Sequence, residues 1–192
     1  GEIYIRSNDF SNESIVRSLE KLGGEVWLPP ISEWFLYLNF TARRYSLQNR
    51  RYGNFWKTYI TELVQKRDEH KMEHIFTGSL VNHPEPSIKE TLQAAKPYLD
   101  DSFEGEAVLS IGKCDDYVKK GCSGLVNVMP FTCMPGTIVG AVMKRYREDH
   151  NTIPFLNMAY DGQEETNTLT RLEAFMHQAR QYQRQYFGEE KK

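Results

Sequence analysis

A near-continuous apolar stretch, SGLVNVMP at Ser123–Pro130, constrains the fold of this chain more than any other feature. It lacks the alternation of a half-exposed strand and is typical of a strand covered on both faces of a parallel sheet. A helical pattern over Thr137–His150 follows, and then a second apolar stretch, TIPFLNMAY, at Thr152–Tyr160. Strand, helix and strand in this order form a βαβ unit with parallel strands. The pattern therefore predicts an α/β protein.

The first thirty residues carry a similar pattern. EIYIRS (Glu2–Ser7) and EVWLPP (Glu25–Pro30) contain β-branched and aromatic residues, which predicts two more strands. Between them, Ser14–Gly24 has its apolar residues at helical spacing and ends in two glycines, a helix stop. Together the two βαβ patterns predict an open, doubly wound sheet of the flavodoxin or Rossmann type, mostly parallel, with about four strands.

The segment from Ser32 to His74 differs, because it is aromatic and basic and shows no strand alternation. It predicts two or three helices with a break near Tyr52-Gly53, within a helical insertion at about residues 32–85 of a single α/β domain, residues 1–192. The basic side chains are compatible with a solvated helical face, and also with a patch for a phosphate-bearing ligand or a partner chain. Further helices are predicted at Ser87–Leu99, Glu104–Gly121 and Asn167–Tyr186.

Charge and composition narrow the class of partner. The net charge of −2 and the lack of any apolar run near the roughly 20 residues of a membrane helix argue against nucleic acid and membrane as partners. Three cysteines, an odd number, do not suggest a disulfide framework, so we expect a reducing cytoplasm. The chain begins with Gly1 rather than Met, and we expect it to be a piece of a longer polypeptide.

One cysteine, Cys133, lies in NVMPFTCMPGTIVGA (Asn127–Ala141), in the loop between the strand and the helix of the C-terminal βαβ unit. Loops at the carboxyl ends of parallel strands form the ligand crevice in such sheets. The start of the following helix favours a thiolate, the form that binds metals or attacks electrophiles, and the flanking prolines restrict the loop. The chain lacks CxxC, HExxH, Walker and GxGxxG motifs, so the residues alone also allow a small packed side chain.

Two long motifs, VNVMPFTCMPGTIV and IPFLNMAYDGQEETNTLTRLEAFMHQA, resemble the C-terminal part of the large activase-type proteins related to 2-hydroxyacyl-CoA dehydratases and benzoyl-CoA reductases. GEIYIRSNDFSN and GGEVWLPPISEW resemble the same region. The resemblance runs from about Glu2 to about Tyr182 and is weakest over Ser32–His83. Because both C-terminal motifs are long, it is more specific than a short signature.

The resemblance implies a function that these residues alone do not. Large members of the family join ATPase-type activator domains to a dehydratase-like region with a cysteine-ligated iron–sulfur cluster, and ATP hydrolysis drives low-potential electron transfer to a CoA ester. The family's cluster cysteine falls on Cys133. The implied partners are upstream domains of the same polypeptide, including the activator domains, together with a CoA-ester substrate; a homodimer is also compatible.

The chain departs from the family in two respects. It has no ATPase phosphate loops, and it lacks the upstream cysteines that would complete a 4Fe–4S site, which usually takes four thiolates. We therefore expect the cluster only in a full-length protein, and an isolated domain without activity. Cys114 and Cys122 do not match ligand positions and are interpreted as incidental.

Four residues are predicted to accompany Cys133 at the ligand crevice. Ser7 and Asn8 end the first predicted strand and could donate hydrogen bonds to a cluster sulfur or a substrate, although turn formation is the alternative. Asp161 and Gln163 follow the last strand and could bind a ligand or orient the cysteine loop.

Two other classes of function stay open. In a non-catalytic, flavodoxin-like interaction module, Cys133 would be a buried structural residue. In a thiol enzyme, Cys133 would be the nucleophile and would need a general base beside it. His150 and His177 are the nearest sequence candidates for that base, and both are predicted on or at the end of helices.

Overall fold

A computed structural model of the chain describes residues 1–76, 85–162 and 167–188. In these ranges the chain forms eight helices and two strands. The helices are α1 (Ile3–Ser7), α2 (Ile15–Lys21), α3 (Ser32–Gln48), α4 (Tyr52–Phe76), α5 (Ile88–Ala95), α6 (Glu106–Lys119), α7 (Met134–Asp149) and α8 (Thr168–Phe187), and the strands are β1 (Leu125–Pro130) and β2 (Phe155–Tyr160). The chain divides into two compact units, one formed by Gly1–Leu28 with Glu90–Lys192 and the other by Pro29–Lys89.

The C-terminal βαβ prediction is confirmed. β1 and β2 pair in parallel, with Leu125 opposite Phe155 and Pro130 opposite Tyr160, and α7 connects them. α7 packs against both strands and against α6. The two apolar stretches form strands because each is long enough to pair fully with the other, so that six residues of one face six of the other.

The predicted doubly wound sheet of about four strands is wrong, because the described residues form one sheet of two strands and are mostly helical. EIYIRS forms the short helix α1, where the Glu2 Oε2 atom accepts a hydrogen bond of 2.6 Å from the Ile5 backbone N–H. EVWLPP has no regular structure. β-branched and aromatic composition favours a strand only where a neighbouring strand supplies the hydrogen bonds, and neither segment has such a ladder.

One face of the sheet carries the main apolar core of the first unit. α1 lies against β1, and α2 packs against α8. Buried side chains from these elements meet the alternate strand residues Val128, Met158 and Tyr160. Their partners in this core are Ile5, Ile15, Leu19, Leu172, Phe175 and Met176. Burial of such side chains stabilises a domain by about 1.5–3 kcal/mol each, so this face anchors the helices to the sheet.

The opposite face of the sheet lies under the first turn of α7. A Cβ atom added at Gly136 would stand 2.3 Å from the Met129 Sδ atom and 2.7 Å from its Cβ atom. Only glycine therefore lets the helix approach β1 this closely. This close approach fixes where α7 begins, and so fixes the position of Cys133 immediately before it.

The second unit contains a pair of helices, α3 and α4, joined by a short turn at residues 49–51. This confirms the predicted helices and the break near Tyr52-Gly53. α3 and α4 pack against each other, and the described contacts between them include hydrogen bonds and an ion pair. None of the described helices combines the length and the apolar composition that crossing a membrane requires.

Candidate metal-ligand site

Cys133 follows a tight turn at the carboxyl end of β1. The Cys133 N–H donates to the Pro130 carbonyl oxygen at 3.1 Å, which closes the turn, and the Phe131 N–H donates to the Tyr160 carbonyl oxygen at 2.7 Å. The second bond joins the last residue of β2 to the turn. Both strands therefore end at the same edge, and Cys133 lies there, as predicted from the βαβ pattern.

Thr132, immediately before the cysteine, has a backbone φ of +66°. A β-branched residue rarely adopts this left-handed conformation, since its Cβ atom crowds the backbone. Strained backbone of this kind costs about 1–3 kcal/mol and clusters at functional sites. The sequence gives no direct sign of it, because threonine is not a typical left-handed turn residue.

α7 begins directly after Cys133, which is its N-cap residue, with φ −63° and ψ 116°. The Cys133 carbonyl oxygen accepts two hydrogen bonds from Thr137, at 3.0 Å from the backbone N–H and 2.8 Å from the hydroxyl. These bonds leave the cysteine side chain out of the capping interaction. The side chain is partly buried, while Phe131 and Met134 on either side are exposed, so the loop presents a thiol among apolar groups.

Sequence reasoning missed the pair of asparagines that supports this loop. Asn127 is buried in β1 and donates from Nδ2 to the Asn157 Oδ1 atom at 2.6 Å and to the Gly136 carbonyl oxygen at 3.2 Å. Asn127 and Asn157 are directly paired across the strands. A signal was present, because LVNVMP and FLNMAY each place an asparagine third in an apolar strand. The pair ties both strands to the first turn of α7.

Asp161 is the first residue after β2. It is exposed and directly follows Tyr160, whose carbonyl oxygen holds the cysteine turn. Gln163 lies outside the described residues. A role for either residue in binding a ligand stays a prediction.

Ser7 and Asn8 are placed by a different element from the one predicted. Ser7 is exposed at the end of α1, and Asn8 caps that helix. The Asn8 side chain accepts from the Ser11 N–H at 3.0 Å and lies 3.4 Å from the Tyr4 hydroxyl, both within the same turn. The reason for placing Ser7 and Asn8 beside Cys133 was a shared edge of parallel strands, and a helix does not supply it. Their ligand role stays a prediction.

The other two cysteines lie in protected environments. Burial raises the pKa of the Cys114 thiol, in α6, to about 12. Burial also raises the pKa of Cys122, whose Sγ atom donates to the Gly124 carbonyl oxygen at 2.9 Å. Metal binding requires the thiolate, a form that burial of these two thiols disfavours. No disulfide joins any of the three cysteines.

The described residues do not supply the full ligand set of an iron–sulfur cluster. Iron–sulfur clusters are held by cysteine thiolates, usually four of them. Among the described residues, no group of three or more His, Cys, Asp or Glu side chains could hold a metal ion.

His150, a candidate base for a thiol enzyme, lies at the far end of α7, about 25 Å along the helix from Cys133. Its ring stacks on the buried Tyr146 ring at 4.0 Å, and its Nδ1 atom lies 2.8 Å from the Tyr146 carbonyl oxygen. Its Nε2 atom lies 3.6 Å from Asp115. His177 is exposed within α8. The structure thus does not bring His150 to the thiol.

No protein-family model, curated protein or solved structure matches this chain.

Proposed function

We propose that this chain supplies one ligand, Cys133, to an iron–sulfur cluster completed by other domains of a larger protein. As the sequence resemblance implies, that protein is an activase or 2-hydroxyacyl-CoA dehydratase-like system of anaerobic metabolism in the cytoplasm. It couples ATP hydrolysis to low-potential electron transfer to a CoA ester or a similar acceptor. The cluster would supply the electron, and this chain would hold and orient one of its irons.

The position of Cys133 carries the proposal. The thiol lies at the carboxyl edge of two parallel strands and before the first turn of a 16-residue helix, and its neighbours Phe131 and Met134 are exposed. An interaction module with a structural cysteine predicts instead a thiol packed in the core, which is the environment of Cys114.

Three local features support a positioning role for the loop. The left-handed Thr132 aims the chain into α7, Gly136 allows the helix to approach β1, and Asn127 ties the helix to the sheet. A ligand held at fixed geometry needs such a rigid base, because a metal tolerates only small errors in ligand position. The apolar residues around the thiol would also exclude water, which tunes the potential of a cluster.

The test is the iron and acid-labile sulfide content of the intact polypeptide that carries this chain, purified without oxygen. The wild type is compared with Cys133→Ala and with Cys122→Ala, a matched loss of another partly buried cysteine. We expect Cys133→Ala to lose the cluster or to change its visible spectrum, and Cys122→Ala to keep both iron and spectrum.

Equal iron with an unchanged spectrum in Cys133→Ala would contradict the proposal. That result would favour the interaction module, with Cys133 as a structural residue. Equal loss in both variants would point to a general loss of folding, and thermal unfolding of the same samples separates that case.

A further inference from the structure

The outer face of α4, opposite its contacts with α3, is apolar and exposed among the described residues of the second unit. It consists of Tyr52, Trp56, Ile60, Leu63 and Val64, which recur at helical spacing and are each about half exposed. Exposed apolar side chains that form one continuous stripe mark an interaction site, whereas scattered ones need no explanation.

The contacts between α3 and α4 use the opposite face of α4, so the apolar face takes no part in this helix pair. Ser32 Oγ donates to Glu69 at 2.6 Å, Asn39 Nδ2 donates to Gln65 at 2.5 Å, and Arg43 pairs with Glu62 at 2.9 Å.

The hairpin thus directs polar side chains inward along Glu62, Gln65 and Glu69, and apolar ones outward. A soluble helix normally buries its apolar stripe. The arrangement of α4 is therefore that of a helix whose partner is outside the hairpin.

Aromatic packing holds the centre of the outer face in place. The Trp56 ring meets the Phe55 ring at 5.8 Å and the Tyr59 ring at 6.0 Å, both edge-on, and the Phe55 and Tyr59 rings are parallel. Side chains held in this way lose little rotamer freedom when a partner binds, so binding costs less entropy. Tryptophan and tyrosine are also the residues that most often dominate the binding energy of interfaces.

We propose that this face binds the same face of a second copy of the chain, in an antiparallel arrangement with twofold symmetry. The inference is independent of the proposed function. A twofold contact needs a self-complementary patch, and a straight apolar stripe of similar side chains is complementary to itself. Five half-exposed side chains offer roughly 400–500 Å² in each copy, so a dimer would bury roughly 1,000 Å², the lower limit of a specific interface. We expect a reversible dimer.

The charge pattern along α4 decides between parallel and antiparallel pairing. Beyond Val64 the same face continues as Arg67, which contacts Asp68, and Lys71, all exposed. Parallel pairing would place these cations beside their own copies. Antiparallel pairing centred near residue 58 separates the two Arg67 residues by roughly 27 Å along the axis, more than the Debye length of ~8 Å.

Sedimentation velocity of the chain over a concentration series tests the inference. Ile60→Glu places a charge in the centre of the proposed interface, and we expect it to weaken the dimer at least tenfold. Leu38→Glu is the control, since Leu38 is also an exposed aliphatic residue but lies on α3. We expect it to leave the dimer unchanged. Both sites are exposed, so both variants should keep the helical circular dichroism of the wild type.

Crosslinking with a short bis-maleimide tests the orientation in a Cys133→Ser background. We expect Ile60→Cys to crosslink to its own copy and Lys71→Cys not to, because antiparallel pairing brings only the former near the symmetry axis. A chain that stays monomeric to 200 μM, a scale about that of weak interfaces, would overturn the proposal and assign the face to another occupant. A dimer that survives Ile60→Glu, or crosslinks equally at both positions, would also overturn it.

Discussion

At its N-terminal end α7 starts from Cys133 on a strained turn with exposed neighbours, whereas its C-terminal end packs into a cluster of rings around the buried Tyr146. Tyr146 and His150 stack at 4.0 Å, the Tyr98 ring meets the Tyr146 ring at 5.0 Å, and the Tyr182 hydroxyl donates to the His150 carbonyl oxygen at 3.3 Å. The comparison teaches that titratable residues in a cluster are not by themselves a reactive site. The densely packed end stabilises the domain, whereas the sparsely packed end carries the Cys133 thiol beside exposed side chains.

The largest loss of stability should come from disrupting the ring cluster at the C-terminal end of α7. Tyr146 is fully buried, so Tyr146→Ala should lower the free energy of unfolding by about 3–5 kcal/mol through the cavity it leaves. Chemical denaturation measures this value. Phe131→Ala, at the exposed end, is the control and should change it by less than about 0.5 kcal/mol.

The hydroxyl group of Tyr146 allows a second test, which asks whether the ring cluster is held by packing alone or also by hydrogen bonds. It is buried and has no hydrogen-bond partner within the described residues. Tyr146→Phe should therefore leave the free energy of unfolding unchanged or raise it, by up to about 1 kcal/mol. A loss of more than about 1 kcal/mol in this variant would show that the hydroxyl has a partner and that the cluster is a polar network.

Gly136→Ala tests the close approach at the start of α7. The added Cβ atom would meet Met129 at 2.3 Å, so the helix or the methionine must move. We expect a loss of about 1–3 kcal/mol in the free energy of unfolding. Gly53→Ala is the matched control, because nothing lies within 4 Å of a Cβ atom there. Equal stability of the two variants would mean that α7 is not held tightly against β1.

Alkaline pH should lower the free energy of unfolding, because buried groups keep protons that the unfolded chain releases. Burial raises the pKa of Cys114 from 9.0 to about 12, and burial also raises the pKa of Tyr146. Above pH 9 the unfolded chain releases the Cys114 proton that the folded chain keeps, so stability is complete below pH 9 and falls as the pH rises. The slope for one group is at most about 1.4 kcal/mol per pH unit.

Denaturation between pH 8 and 10, a window around the ordinary thiol pKa of about 8.5, measures this slope. We expect a shallower decline in Cys114→Ala than in the wild type. The same slope in Cys114→Ala as in the wild type would contradict burial of that thiol.

Thr132→Gly should change the free energy of unfolding least, and it should raise this value rather than lower it. Glycine adopts a φ of +66° freely, so the substitution should relieve strain and raise the free energy of unfolding by up to about 1 kcal/mol. A loss of stability would show that the threonine side chain has a favourable contact that outweighs its backbone strain.

The sequence predicted correctly those elements whose own hydrophobic pattern is clear. β1 and β2 are matched apolar stretches that pair with each other, and α7 between them shows a clear helical pattern. The position of Cys133 followed from this βαβ order. The helices of the second unit were equally predictable, because that segment shows no strand alternation.

The rest depended on contacts that a sequence does not display. EIYIRS becomes a helix because Glu2 caps it and Ile5 enters the core. These contacts outweigh the preference of its β-branched and aromatic residues for a strand. The strain at Thr132 and the role of Gly136 depend on a close approach between α7 and β1 that only the folded chain reveals. The paired asparagines Asn127 and Asn157 were visible in the sequence, but only their register gives them meaning.

Competitive alkylation of the three cysteines in one native sample tests the central claim most directly. A small maleimide is added at pH 8, below the ordinary thiol pKa of about 8.5, and mass spectrometry follows each cysteine with time. The account predicts that Cys133 is modified at least tenfold faster than Cys114 and Cys122, because burial of those two thiols raises their pKa and disfavours the reactive thiolate, whereas Cys133 lies at the edge of the sheet beside exposed side chains. Modification of Cys114 as fast as Cys133 would contradict the account, since the two environments would then not differ.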